Sequence, residues 1–326
     1  MKIIIKKISY HLPGKPRNID ELQTDNPEWE VDKIVKKTGI HNRYIAGKNE
    51  TALDLAYNAG LKMLSEKKIR DKIDLLIFVT QSPDYILPTS ACILQNKLEL
   101  PKRCMAFDVN LGCSGFIYAL SIAGSLIESG VATNGLIICA DTYSKYIKNN
   151  DRTNRPIFSD GAAATLLQKS KSDNIGPFIL GTDGAGFESL IVKEGGARNI
   201  QSSISKTDRV LEMRGSEVFL FTMRTIPKCV NELLEKANIG IEKVDLFIFH
   251  QASKIVIDNL VNSLSIDDEK VFINYHNIGN TVSATIPIAL EDAKNQGKLK
   301  SGDKLMLIGF GVGLSWGATL INWIDE

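Results

Sequence analysis

The chain has 326 residues, 44% of them hydrophobic and 24% charged, and 39 basic side chains nearly balance 38 acidic ones. Ordinary composition and low net charge exclude a disordered chain, and they supply no global field for nucleic acid or a membrane surface. The length allows about two domains or one duplicated body with a sizeable core.

In chain order, the N-terminal Met1–Lys7 is charged and lacks an apolar stretch with a cleavage site, so it reads as a first strand rather than a signal peptide. Short apolar runs predict buried strands at Leu75–Val79, Met105–Phe107, Leu136–Ala140, Leu246–Phe249 and Leu305–Ile308. Helical patterns occupy Thr51–Glu66, Cys113–Glu128, Ser216–Asn238 and Thr285–Gln296. The alternation predicts an α/β fold with mostly parallel strands buried on both faces. The longest uncharged run, Val109–Ile127, carries several Gly, Ser and Asn residues and fits a buried helix better than a membrane span.

The chain also echoes itself. Lys72–Phe78 matches Lys243–Phe249 at five of seven positions, and Gly161–Leu167 echoes Gly317–Ile321. Gly112-Cys113 and Gly279-Asn280 each precede an apolar helix, in the same order. These echoes predict two homologous halves, 1–171 and 172–326, meeting in the polar stretch Ser170–Asn174.

Five cysteines without a CxxC pair argue against a disulfide framework and a thiolate zinc site. Cys113 stands apart, because it falls between a predicted strand and a predicted helix. There the helix dipole and free N–H groups favour a thiolate, and Gly112, Ser114 and Gly115 leave room for a ligand. His250 ends the run Leu246–Phe249, where α/β folds place ligands. Asn280 reads locally as a helix cap, and Gly309–Gly313 as a tight turn whose N–H groups can face an anion. Singly, Cys113 reads equally well as a buried structural cysteine, while His250, Asn280 and the glycine segment read better as a core histidine, a helix cap and a plain turn. Together they supply a thiol nucleophile, an imidazole, a carboxamide and backbone donors, the parts of acyl-transfer chemistry. The glycine loop holds no second cysteine to act as a base, so the nucleophilic carbon must come from a substrate that loses CO2.

Taken in order, Lys37–Ile40 with Arg43, Leu87–Cys92, Gly112–Phe116, Ser159–Ala163, Met213–Phe219, His250–Ala252, Gly279–Thr281 and Gly309–Gly317 resemble the β-ketoacyl-acyl-carrier-protein synthase III family of the thiolase superfamily. The resemblance implies a thiolase-like duplicated αβαβα sandwich, assembled as a cytoplasmic homodimer with no cofactor and no metal. It implies a catalytic triad of Cys113, His250 and Asn280, with an oxyanion hole from the backbone N–H groups of Cys113 and Val312. The implied reaction is ping-pong: Cys113 takes an acyl group from acyl-CoA or another thioester, then malonyl-acyl carrier protein is decarboxylated and condensed. The competing reading of the same fold passes the acyl group to an alcohol or amine.

The resemblance also implies substrate-binding roles for Arg152, Lys33, Trp29, Leu87, Phe158, Gly215 and Lys254. Lys33 stands where the family's housekeeping members stack a tryptophan on adenine, and Trp29 lies about one helical turn away. Ile255 stands where a carrier-docking arginine is usual, with Lys254 beside it. Leu87 replaces the common phenylalanine that crosses the dimer and limits acyl length, and Val312 replaces a glycine. These departures imply a specialised member with a primer longer than acetyl, or branched.

Overall fold

The structure is a computed structural model and describes residues 1–65, 67–199 and 209–325. The strands up to residue 169 are β1 (Ile3–His11), β2 (Arg17–Asn18), β3 (Asn42–Arg43), β4 (Leu75–Val79), β5 (Met105–Val109), β6 (Asn134–Asp141) and β7 (Gly161–Lys169). They are followed by β8 (Ile175–Thr182), β9 (Leu190–Val192), β10 (Leu211–Met213), β11 (Leu246–Phe249), β12 (Lys304–Gly311) and β13 (Ser315–Asn322). The helices are α1 (Glu21–Asp25), α2 (Val31–Thr38), α3 (Ala52–Met63), α4 (Lys67–Arg70), α5 (Ser90–Lys97), α6 (Gly115–Glu128), α7 (Gly215–Ala237), α8 (Lys254–Leu264), α9 (Tyr275–Ile278) and α10 (Thr285–Asn295).

Two sheets carry the fold. One runs β1-β7-β6-β4-β5, and the other β11-β12-β13-β8. An isolated parallel bridge from Phe247 to Val271 extends the second sheet beyond β11, where β5 extends the first. Both sheets are mixed, which corrects the expectation of mostly parallel strands. β4 lies parallel to β5 and β6, and β11 to β12, but β7 and β13 run antiparallel to their neighbours. For β13 the reason is connection length. The turn between Gly311 and Ser315 is too short for a parallel crossover, so β12 and β13 must form a hairpin.

The predicted runs at Leu75–Val79 and Leu246–Phe249 coincide with β4 and β11, and the other three lie inside β5, β6 and β12, which extend one to three residues further at an end. Every residue of β4 is buried, as a central strand covered on both faces requires. The sequence reading did not find β7, β8 or β13. Their Gly, Ala, Thr and Pro content gives no continuous apolar run.

α6 lies between the sheets. Phe116, Ile117, Ala119, Leu120, Ala123 and Ile127 are buried in one cluster with residues of β1, β4, β12 and α10. Glycines let both sheets close on it: a Cβ on Gly317 would lie 3.1 Å from Ile117, and one on Gly124 would lie 2.8 Å from Ile3. α3 and α5 cover the outer face of the first sheet, and α7 and α8 the outer face of the second. The result is five layers, αβαβα. α3 starts one residue after Thr51, which forms a capping box with Asp54; its expected end at Glu66 lies outside the described residues. Among the described residues no helix is long and apolar enough to cross a membrane.

Candidate active site

Cys113 sits two residues before the first residue of α6, in the turn that follows β5. The glycine strand end packs directly onto it. A Cβ on Gly311 would lie 2.8 Å from Cys113 Cβ and 2.9 Å from Sγ, so only glycine fits there. Ser315 holds the turn by donating to the Val312 carbonyl at 2.7 Å, and its oxygen meets Ser114 Oγ at 2.7 Å.

The thiol differs from the thiolate expected of a helix N-terminus. Burial pushes it up to about 12, with the nearby Asp141 charge adding to the rise. The backbone N–H groups of Cys113 and Val312 bond the sulfur and pull the other way, but desolvation outweighs them. The resting side chain is a neutral thiol. Its surroundings are apolar: Tyr143, Phe158, Leu190, Leu211 and Val282 are buried in one cluster with Cys113.

His250 follows the last residue of β11, and its N–H is tied to the Ile308 carbonyl at 2.7 Å. Burial lowers its pKa to about 3, so the ring is neutral. Phe310 meets it edge to face, with centroids 5.6 Å apart. Asn280 is held from both sides of its backbone: its N–H donates to Ile157 at 3.0 Å, and its carbonyl accepts from Ser159 at 2.8 Å. Its Oδ1 accepts from the Val282 N–H at 2.9 Å, which turns Nδ2 toward His250 Nε2, 3.4 Å away. The asparagine therefore caps a turn, as its local sequence suggests, and the same bond aims its amide at the histidine.

Phe158 lines this cluster, opposite Tyr143 at 5.3 Å between rings. The other substrate-binding candidates lie elsewhere. Trp29 is buried with Ile19, Leu22 and Val31, and is thereby removed from the groups available to stack on a ligand. Lys33 is exposed and paired with Glu30 at 2.8 Å, and Lys254 is paired with Asp258 at 2.6 Å. Arg152 and Gly215 are exposed, and Leu87 is 80% exposed beside Tyr85 and Ile86.

Sequence reasoning missed a second set of residues. Thr285 meets His250 Nδ1 at 2.7 Å. Asp141, fully buried at the end of β6, accepts from Gln81 N–H at 2.8 Å and Ser283 Oγ at 2.6 Å. It joins the loop after β4 to the turn bearing Val282, and burial pushes its carboxyl up to about 7. No local motif marks either residue, because each acts on a partner distant in the chain. Among the described residues no group of three or more His, Cys, Asp or Glu side chains is placed to hold a metal ion.

Two packed mixed sheets around a central helix, with a buried thiol at the start of that helix, define the fold of the thiolase superfamily of condensing enzymes. Models of 3-oxoacyl-[acyl-carrier-protein] synthase III match residues 107–184, and of its C-terminal part residues 234–323. The β-ketoacyl-[acyl-carrier-protein] synthase III of Clostridium perfringens is 41% identical over 308 residues, 93% of each chain. A crystal structure of a 3-oxoacyl-(acyl-carrier-protein) synthase III superposes with a TM-score of 0.95 at 42% identity, covering 99% of this chain and 100% of the other. That of a 3-oxoacyl-(acyl-carrier protein) synthase from Burkholderia xenovorans gives 0.91 at 35% identity, covering 100% and 96%. The chain belongs to the β-ketoacyl-acyl-carrier-protein synthase III family and is an acyltransferase.

Proposed function

We propose that this chain condenses an acyl primer with malonyl-acyl carrier protein to give a 3-oxoacyl thioester, with Cys113, His250 and Asn280 as its catalytic residues. One observation carries the assignment. Cys113 is buried in the same cluster as Val282, the residue whose N–H orients Asn280 against His250.

In the first stage Cys113 sulfur attacks the primer's thioester carbonyl, and the thiol proton ends on the leaving carrier sulfur. The carrier thiol leaves, and acyl-Cys113 remains. The backbone N–H groups of Cys113 and Val312 face the tetrahedral oxygen, each such donor contributing roughly 3 kcal/mol. In the second stage malonyl thioester loses CO2. His250 and Asn280 donate to the enolate oxygen, and the enolate carbon attacks the acyl carbonyl and releases sulfur. A neutral imidazole suits this task, because it donates a proton-bearing nitrogen without placing a charge in an apolar chamber.

The remaining assignments follow the family and fit what the surface offers. Arg152 and Lys33 supply exposed cations for the phosphates of acyl-CoA, and Lys254 with its neighbours faces the acidic carrier. β5 is a half-exposed edge strand, and Tyr85, Ile86 and Leu87 form an apolar loop beside it, which fits a homodimer. Leu87, smaller than phenylalanine, favours a primer longer than acetyl or a branched one. The division at 171/172 is supported by the strands: each large sheet draws its strands from one side of it. The setting is cytoplasmic.

Mass spectrometry and CO2 release test the reaction. Wild-type protein incubated with acyl-CoA gains the acyl mass, and Cys113→Ala does not. His250→Ala loses CO2 release from malonyl thioester. An acyl adduct on Cys113→Ala refutes the assignment of the nucleophile, and acyl transfer without CO2 release favours transfer to an alcohol or amine.

A further inference from the structure

His250, Asn280, Val282 and Thr285 form a closed circuit of hydrogen bonds, and every member is at least 96% buried. The circuit begins at the Val282 N–H, which donates to Asn280 Oδ1 at 2.9 Å. With Oδ1 occupied, the amide nitrogen faces His250 Nε2 at 3.4 Å. An NH2 group brings only donors, so Nε2 in this state carries a lone pair. The neutral ring holds one proton, which must then be on Nδ1. Nδ1 donates it to Thr285 Oγ1 at 2.7 Å, and that hydroxyl donates to the Val282 carbonyl at 3.1 Å. The circuit ends on the residue where it began. Every proton is thereby assigned, and the tautomer is the one that leaves Nε2 able to accept.

The proposed second half-reaction needs the other tautomer, because Nε2 must present an N–H to the enolate oxygen. A buried Nδ1 that becomes an acceptor then needs a donor. Thr285 is built to be both. Its oxygen accepts from Nδ1–H while its proton points to Val282, and a turn of the hydroxyl alone aims the same proton at Nδ1. We propose that Thr285 is a positioning residue that keeps Nδ1 of His250 bonded in both tautomers, so that the ring accepts at Nε2 in the resting enzyme and donates from Nε2 during decarboxylation. The change of tautomer proceeds while the site is open to substrate and water: Nε2 takes one proton from water, and Nδ1 returns one as the Thr285 hydroxyl swings aside, leaving the ring neutral. A threonine serves where an aspartate would not: a carboxylate has no proton to offer and would draw the ring toward a buried imidazolium. The inference rests on the reading of His250 as the enolate donor.

Two experiments decide it. In wild-type protein labelled with 15N-histidine, the NMR signal absent from His250→Ala identifies the ring. The resting enzyme shows a pyridine-like Nε2 and a pyrrole-like Nδ1. The acyl-enzyme with a malonyl thioester analogue that cannot lose CO2 shows the reverse. A resting Nε2–H, or the same tautomer in both states, overturns the proposal without any substitution at 285. In the second experiment Thr285→Val lowers kcat for malonyl decarboxylation by about 10- to 100-fold, with KM changed by less than about threefold, and Thr285→Ser restores the rate to within about threefold. A valine variant at wild-type rate, or a serine variant as slow as valine, overturns it. Decarboxylation that survives in His250→Ala refutes the underlying reading instead, whereas loss there with full rate in Thr285→Val refutes only the role of Thr285.

Discussion

Asp141 and His250 are both fully buried ionisable groups, and they push stability in opposite directions as pH changes. The Asp141 carboxyl titrates at about 7 when folded and at 3.8 ordinarily, so between these values the folded state holds the extra proton. Stability from this group is present at low pH and is lost as pH rises. His250 titrates at about 3 when folded and at 6.5 ordinarily, so the unfolded state holds the extra proton and stability rises with pH. From about pH 4 to 6.5 the two slopes cancel to first order. Asp141→Asn removes one of them. The stability of that variant relative to wild type should climb by ~1.4 kcal/mol per pH unit between about pH 4 and 7, measured by urea unfolding at several pH values. Parallel stability curves for the two proteins refute the assignment. Cys113, His250 and Asn280 were singled out in the sequence because each stands at an element boundary and their combined pattern resembles the family. Asp141 and Thr285 were not, because a buried carboxyl and a helix-start threonine look like ordinary strand-end and capping residues until their partners are placed.

At the scale of elements, the end of β12 fits tightly against the thiol. Gly311 pairs with Ser315 across the hairpin while its missing side chain makes room for the thiol. Gly311→Ala should lower the rate of Cys113 acylation by about 100-fold, because relieving the 2.8 Å contact displaces the thiol by about 1 Å, which costs that order. Time-resolved mass spectrometry of the acyl-enzyme reads the effect, and an unchanged rate shows that the turn yields instead. The sequence predicts this segment as a glycine turn over 309–313, but Gly309 is still within the strand and pairs with Gly317. Glycines there relieve crowding against α6, and crowding between distant segments leaves no periodic signature. The start of α3 was readable because Thr51 and Asp54 act within four residues. Their partner Asp84, which accepts from Thr51 Oγ1 at 2.9 Å, belongs to the loop leading to Leu87 and was not.

The whole molecule is organised around α6, a helix covered by sheets on two sides. The thiol comes from the turn that starts this helix, and the imidazole and carboxamide come from the half of the chain that builds the second sheet, so neither half alone completes the candidate site. The fold class was readable from alternating apolar runs, whereas the mixed strand directions were not, because direction is set by connection lengths that a buried run does not reveal. Among the described residues β1, β5 and β8 each end a sheet, and β5 is half-exposed along its whole length. β5 has a single neighbour, and the loop beside it exposes Ile86 and Leu87 at 80% each. Leu87→Asp should shift the protein from dimer toward monomer in sedimentation velocity, by placing a charge where a second copy would bury an apolar side chain. A wild-type protein that sediments as a monomer contradicts the dimer.

Val282 bears on how variation in this family is to be interpreted. Its backbone lies in the left-handed region at φ +57°, which costs a β-branched residue roughly 1–2 kcal/mol. It serves the histidine and the asparagine through its peptide alone. Any apolar residue that tolerates the bend and fills the cluster around Cys113 can occupy the position, so a tally of amino-acid frequencies underrates it. What inheritance must preserve there is the shape of the main chain, which is written in the neighbours rather than in the residue itself.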